Sequence, residues 1–219
     1  MPRPSVSCQG AMGAATVERF ARCHRLCVEL GVQGKLHVTS QQISERLGDD
    51  AALIRRDISC LGKLGSQGHG YPISRLREAL GGVLGKQKVW NLVLVGAGRI
   101  GAALLTHHGF ESRGFHFVGV FDEDADKIGM KIGSLVVQNA FHLPEVCRSS
   151  DAEIGVITVP PTAARWVARL LAASGVRAIL NFAPIDLLLE EDVVVTNVDL
   201  AVELEKLSYY LTTGKAGRS

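Results

Sequence analysis

No apolar run in this 219-residue chain approaches the roughly 20 residues that span a bilayer. The opening Met1-Pro2-Arg3-Pro4-Ser5 leads into no signal-peptide apolar core, so the expected compartment is the cytosol. Cysteine is sparse: Cys8, Cys23, Cys27, Cys60 and Cys147 are an odd number without framework spacing, which excludes a disulfide scaffold. No Ser/His/Asp or paired-carboxylate arrangement stands out, so no residue is assigned a catalytic role. Net charge is also small, +2, but it is unevenly placed. Residues 1–85 carry 11 Lys+Arg against 7 Asp+Glu, and the remainder 13 against 15. A mildly basic first half suggests an anionic partner for it.

What is present is organised around Lys88-Val89-Trp90-Asn91-Leu92-Val93-Leu94-Val95-Gly96-Ala97-Gly98-Arg99-Ile100-Gly101. The β-branched apolar run predicts a buried strand, and three glycines spaced G-x-G-x-x-G follow it into the helix formers Ala102-Ala103-Leu104-Leu105. In that context Gly96 allows the tight turn, Gly98 the close approach of a pyrophosphate, and Gly101 the packing of helix on strand. The helix N-terminus supplies free N–H groups and the positive dipole end, and Ala97, Arg99 and Ile100 join the three glycines as cofactor-binding candidates. A second strand, Phe115-His116-Phe117-Val118-Gly119-Val120-Phe121, is followed directly by Asp122. An acid about 20 residues past the third glycine accepts hydrogen bonds from the adenosine ribose. Glu123, Asp124 and Asp126 disfavour a 2′-phosphate, which predicts NADH/NAD⁺ rather than the NADP pair. The same pattern read blandly is an acidic turn after an ordinary strand.

Further strands are expected near residues 135–137, 154–159, 178–182 and 193–195, alternating with helices from Pro144 and over residues 162–174. That alternation predicts a Rossmann-like, mostly parallel doubly wound sheet, whose ligands sit beyond the carboxyl ends of the strands. Thr158, Val159 and Pro160, with Asn181, Phe182, Ala183 and Pro184, are thereby placed near the cofactor. Only about one helix remains, residues 200–212, rich in Leu, Val and Tyr. No substrate domain is expected after the nucleotide domain, and so apolar a helix predicts packing on a second subunit.

The first half predicts helices. Residues 15–30 carry one apolar face and end at Gly31; Arg19, Arg22 and Arg25 lie elsewhere on it. Thr39 and Gln42 have the form of a capping box for a helix over residues 40–47, which Gly48 ends. Asp49 or Asp50 caps a second helix reaching about Leu61. Two short helices on a tight turn suit a helix-turn-helix, the second entering the major groove with Arg55 and Arg56 near bases or phosphates. The glycine-rich residues 62–71 suit a flexible hairpin, completing a winged helix, and residues 72–80 give one more helix. The DNA-facing candidates are Ser40, Ala51, Arg55, Arg56, Ser59, Lys63, Gln67 and His69. A helical docking domain with solvated arginines is the rival reading. The expected division is a disordered 1–14, a winged helix over 15–85, a nucleotide domain over 86–198 and a dimerisation helix and tail over 199–219. Cys23, His24 and Cys27 lie within about one helical turn but form a lone partial set, so packing is favoured over a metal.

Six short strings occur in the order of one family: Ile54-Arg55-Arg56-Asp57-Ile58-Ser59, Gly68-His69-Gly70-Tyr71, the glycine motif, Asn181-Phe182-Ala183-Pro184, Asn197-Val198-Asp199-Leu200 and Leu207-Ser208-Tyr209-Tyr210. On them, from about Val17 to Leu211, the chain resembles the Rex family of redox-sensing transcriptional repressors. The resemblance implies a homodimer on palindromic operator DNA, nucleotide domains that read the NADH/NAD⁺ ratio, release from DNA by NADH, and exchange of the C-terminal helix between subunits. It also implies that Asp199 faces Arg25 and the nicotinamide region, and that His107, where the family commonly has tyrosine, takes part in the redox-linked contact. Two further departures are Cys60-Leu61 for the family's Tyr-Phe, and Ser66-Gln67 for Thr-Arg in the wing. The other readings left open are an NAD-dependent oxidoreductase, a CoA- or nucleotide-binding enzyme subunit with a helical dimerisation module, and a Rex-like paralogue with altered DNA recognition.

Overall fold

The computed structural model describes residues 12–66, 68–189 and 192–214. The chain divides between Gln87 and Lys88 into two units, each with its own core. The first contains α1 (Ala14–Val32), β1 (His37–Val38), α2 (Ser40–Leu47), α3 (Ala51–Ser59), β2 (Tyr71–Pro72) and α4 (Ile73–Val83). Phe20, Cys23, Leu26 and Cys27 make the buried stripe of α1 and pack with Ile43, Ile54, Ile58, Ile73, Leu76 and Leu80. The capping box at Thr39 is complete: Thr39 Oγ1 accepts from Gln42 N–H at 3.1 Å, and Gln42 Oε1 accepts from Thr39 N–H at 2.9 Å. Asp50, rather than Asp49, caps α3, accepting from the N–H groups of Ala52 and Leu53. Asp49 instead pairs with Arg22 at 3.2 Å.

Several expected ends move. Helix α1 begins at Ala14 and runs through Gly31 to Val32; Gly34, not Gly31, takes the left-handed conformation at φ 74°. Residues 1–11 of the expected disordered segment lie outside the described residues. Helix α3 stops at Ser59 because the N–H groups of Cys60, Leu61 and Gly62 turn to carbonyls three residues back, a tightened last turn that Gly62 ends at φ 99°.

One ion pair ties α1 to α3. Arg19 Nε and Nη2 both donate to Asp57 Oδ2, at 2.8 and 2.5 Å, with Asp57 buried on the core side of α3. It fixes the helix whose opposite face carries Arg55, Arg56 and Ser59.

The second unit holds β3 (Trp90–Val95), α5 (Arg99–Leu105), β4 (Phe115–Asp122), β5 (Lys131–Ile132), β6 (Leu135–Asn139), α6 (Leu143–Ser149), β7 (Ile154–Ile157), α7 (Pro161–Ala173), β8 (Ala178–Asn181), β9 (Val194–Asn197) and α8 (Leu200–Thr213). The sheet order is β5-β6-β4-β3-β7-β8-β9, parallel throughout except for β5. Strand β3 is buried on both faces: Val93 and Val95 enter the core under α6 and α7, and Leu92 and Leu94 enter the core on the other side. Residue for residue, Val95 lies beside Phe121 and Ile157. The chain turns at Gly96, Asp122 and Thr158 therefore converge on one sheet edge. The expected strand at 193–195 lies one residue later and is longer, and the two-residue β5 was not expected.

Two substitutions test these packing arguments. Asp151 sits at φ 47° just after α6, where Ala152 N–H closes onto Cys147 O at 3.0 Å, a helix end that favours glycine. Asp151→Gly should stabilise by about 0.5–1 kcal/mol, read as a rise of a few degrees in the thermal midpoint. Arg19→Met leaves the Asp57 carboxylate buried without its cation and should cost about 3 kcal/mol in urea unfolding. An unchanged midpoint would show that the pair contributes nothing.

Candidate functional site

At the edge where β4 and β7 flank β3, a cavity of about 690 Å³ opens, within the range of cofactor pockets. Gly96 and Gly98, Ile100, Asp122, Thr158, Val159, Pro160 and Phe182 line it. Gly96 holds φ 109°, and a Cβ there would stand 2.7 Å from the Thr158 carbonyl; the Thr158 hydroxyl donates to Gly96 O at 2.7 Å. The two loops are thus closed against each other, and only glycine fits. A Cβ on Gly101 would collide with Gly96 O, so this residue serves the packing of α5 rather than a ligand. A Cβ on Gly98 would meet no protein atom within 4 Å. Gly98 is the cap of α5, faces the cavity, and leaves the first N–H groups of that helix without carbonyl partners. This is a cradle that fits a pyrophosphate.

Asp122, buried at the end of β4, holds the cradle in place. Its Oδ2 accepts from Ala97 N–H at 2.8 Å and from Lys127 Nζ at 3.2 Å, and its Oδ1 from Asp124 N–H at 3.0 Å. Burial works to raise the Asp122 pKa, but the hydrogen bonds from Asp124, Lys127 and Ala97 outweigh it and hold the carboxyl below its ordinary value. A carboxylate has about four acceptor sites, so one on Oδ1 remains for a ribose hydroxyl. Lys127 was not foreseen. It bridges Asp122 and Asp124, at 3.2 and 3.3 Å, and places a cation among residues expected to be only acidic.

Other predicted cofactor residues do not reach the cavity. Ala97 acts through its N–H on Asp122, and the side chain of Arg99 is exposed outside the lining. Asn181 is fully buried: its Nδ2 donates to Ala183 O, Ile185 O and Asn197 Oδ1, and its Oδ1 accepts from Ala183 N–H. It clamps the loop that carries Phe182, Ala183 and Pro184 into the cavity, where a direct cofactor contact was expected. Ala140, Ala163, Trp166 and Val167 also line the cavity and had no sequence signal beyond helix periodicity.

In the first unit, Arg55, Arg56 and Ser59 are exposed on α3, and Ala51 is half-buried at its start. Ser40 is buried and accepts from Arg55 Nη1 at 3.2 Å, so it braces Arg55. In the wing, Ser66 and Gly70 form an antiparallel bridge, and β1 pairs with β2 at its base. A Cβ on Gly65 would stand 2.5 Å from Gly70 O. The glycines here serve close backbone approach as well as the flexibility expected of them. Lys63 and His69 are exposed; Gln67 lies outside the described residues.

Of the expected switch residues, Arg25 is exposed on α1. His107 is exposed after α5; its Nδ1 accepts from Gly109 N–H at 3.0 Å and its ring lies 5.0 Å from that of Phe110. Asp199 caps α8, accepting from the N–H groups of Ala201 and Val202. Helix α8 buries none of its residues within the chain, and Leu200, Leu204, Leu207 and Leu211 lie exposed along it. Cys23 and Cys27 are buried and hydrogen-bonded to each other, and that bond, with burial, pushes the Cys23 thiol up. No helix among the described residues is long and apolar enough to cross a membrane.

Two family models match the chain: the CoA binding domain over residues 87–185 and the putative DNA-binding protein N-terminus over residues 12–59. The redox-sensing transcriptional repressor Rex of Desulforamulus reducens is 41% identical over 197 residues, 90% of this chain and 94% of that protein. The Rex repressor of Chloroflexus aggregans is 38% identical over 192 residues, 88% of this chain and 89% of that protein. Among solved structures, RSP, a Rex-family repressor, matches with a TM-score of 0.86 and 31% identity over 94% of this chain and 97% of its own. RSP in complex with β-NAD⁺ and operator DNA matches with a TM-score of 0.87 and 32% identity over 94% and 95%. The fold expected for the winged helix and the doubly wound sheet agrees with these likenesses, and the chain belongs to the Rex family of redox-sensing transcriptional repressors.

Proposed function

We propose that this protein is a cytoplasmic, homodimeric repressor that binds palindromic operator DNA, senses the NADH/NAD⁺ ratio, and leaves DNA when NADH binds. The observation that carries the reading is the cavity built on Gly96, Gly98 and Asp122 in the same chain as an α3 that exposes Arg55, Arg56 and Ser59. Ala51, Ser59 and the two arginines read or position the major groove, Ser40 braces Arg55, and Lys63, Gln67 and His69 approach the backbone or minor groove from the wing. RSP, related over nearly the whole chain, has been seen with NAD⁺ and operator DNA and with NADH.

No enzymatic role is proposed. The titratable groups that line the cavity are Asp122, Glu123, Asp124 and Lys127, all at the end of β4 or just after it. Among the described residues, none lines it beside Thr158–Pro160 or Phe182–Pro184, where a nicotinamide would lie and where hydride transfer to a second substrate would need an acid or base. The dinucleotide is read, not used. Lys127 is held between two carboxylates, and Glu123 and Asp126 leave the loop net negative, which supports NADH over NADPH.

Helix α8 is apolar on more than one side, as a helix buried by a partner is. We assign it to the dimer, exchanged between subunits, with Arg25, His107 and Asp199 carrying the redox state from nucleotide to DNA-binding unit. Such coupling requires contacts that differ between the two ligand states.

Operator binding followed by fluorescence anisotropy at fixed salt tests the whole reading. NADH should release the DNA, and NAD⁺ and NADPH should not at the same concentration. DNA affinity indifferent to NADH and NAD⁺ overturns sensing, and absence of operator binding overturns repression. Arg55→Ala should weaken operator binding by about tenfold or more with nucleotide binding unchanged. Asp122→Ala should do the reverse, blunting the NADH response while DNA binding persists; loss of DNA binding in a folded Asp122→Ala protein would contradict its assignment to the ribose.

A further inference from the structure

Trp166 is a large aromatic side chain with no role in the interactions described above. It stands 52% exposed on α7, yet with Ala163 and Val167, at positions i, i+3 and i+4 of that helix, it lines the nucleotide cavity. Among the described residues no ring or cation stacks on its indole. An exposed tryptophan in the wall of a cavity is a poor choice for solvent and a good one for a flat ligand.

The topology says which end of the ligand it meets. A pyrophosphate on Gly98 and a ribose on Asp122 direct the adenosine half toward the residues after β4 and β6, and the nicotinamide half toward the loops after β7 and β8. Helices α6 and α7 cover the same face of the sheet, where Leu143, Cys147, Ala164, Val167 and Leu171 share one core with Val95 and Phe121. Ala140, just before α6, and Trp166, on α7, therefore belong to one side wall of the cavity. Trp166 lies five residues into its helix, roughly 7 Å along it from the end loops that would receive the nicotinamide.

We propose that the indole of Trp166 stacks on the adenine of the bound dinucleotide, a residue-level assignment that rests on the NAD(H) reading above. The adenine is the same in NADH and NAD⁺, so this contact strengthens both equally. It sets the total nucleotide concentration at which the sites fill and leaves the discrimination between redox states to the other end of the cavity. A contact equal in both ligand states shifts no equilibrium between them.

Calorimetric titration of the full-length protein with NADH, NAD⁺, ADP and nicotinamide mononucleotide tests this. Trp166→Ala should weaken NADH, NAD⁺ and ADP by a common factor of about tenfold, the scale of one aromatic–base stack, and leave the mononucleotide unchanged. Trp166→Phe should recover most of the loss. The chain has two tryptophans, so the fluorescence difference between wild type and Trp166→Phe isolates the indole; ADP, which has no dihydronicotinamide to accept energy, should quench it. Unchanged NADH and ADP affinity in Trp166→Ala overturns the assignment, as does an equal loss for the mononucleotide. If Trp166→Ala fails to fold, absence of ADP quenching in the wild type overturns it. A wild-type protein that binds none of these compounds overturns the dinucleotide reading itself.

Discussion

The nucleotide unit depends on one carboxylate. Asp122 receives hydrogen bonds from Ala97 in the glycine loop, from Asp124 in its own turn and from Lys127 beyond it. Two loops from neighbouring parallel strands are locked together by one group that accepts from each of its partners, which favours its ionised form. The same interactions that depress its pKa also orient its remaining lone pair. Preorganisation of the cradle and presentation of an acceptor to the cavity are therefore one property of one side chain. The register that brings Val95, Phe121 and Ile157 side by side makes this possible, since it delivers the three turns to the same edge.

An analogous arrangement governs the helical unit, with the charges reversed in role. Asp57 faces inward on α3 and is held by Arg19, while Arg55 faces outward and is braced by Ser40. Orientation of α3 thus comes from its buried side, which leaves Arg55, Arg56 and Ser59 exposed on the other. The departures at Cys60, Leu61 and Ser66 lie beyond Ser59, the end of this helix, and none of the three takes part in the ion pair.

Much of this was legible in the sequence because it is local. The capping box at Thr39, the left-handed Gly48, the glycine motif after β3 and the acid after β4 each depend on residues a few positions apart. What escaped depends on partners distant in sequence or on space. Asn181 looks like a ligand residue at a strand end, and only the burial of its amide among Ala183, Ile185 and Asn197 shows it to be a clamp. Lys127 reads as one cation in an acidic stretch until its nitrogen is found between two carboxylates. Gly31 and Gly34 are indistinguishable as helix terminators by residue type, and the backbone chose the later one. Trp166 fits a helical periodicity equally well as core or as surface. Strand β5, two residues long, carries no period at all.

Helix α8 presents leucines and tyrosines to solvent along its length, capped at Asp199 and with none of its residues buried among the described residues. If a second copy covers this helix, as in the dimer proposed above, a lone protomer keeps that apolar surface in water, and its resistance to unfolding rises with its own concentration. Copy number would then be a physical variable of such a sensor, independent of any signal the cavity receives.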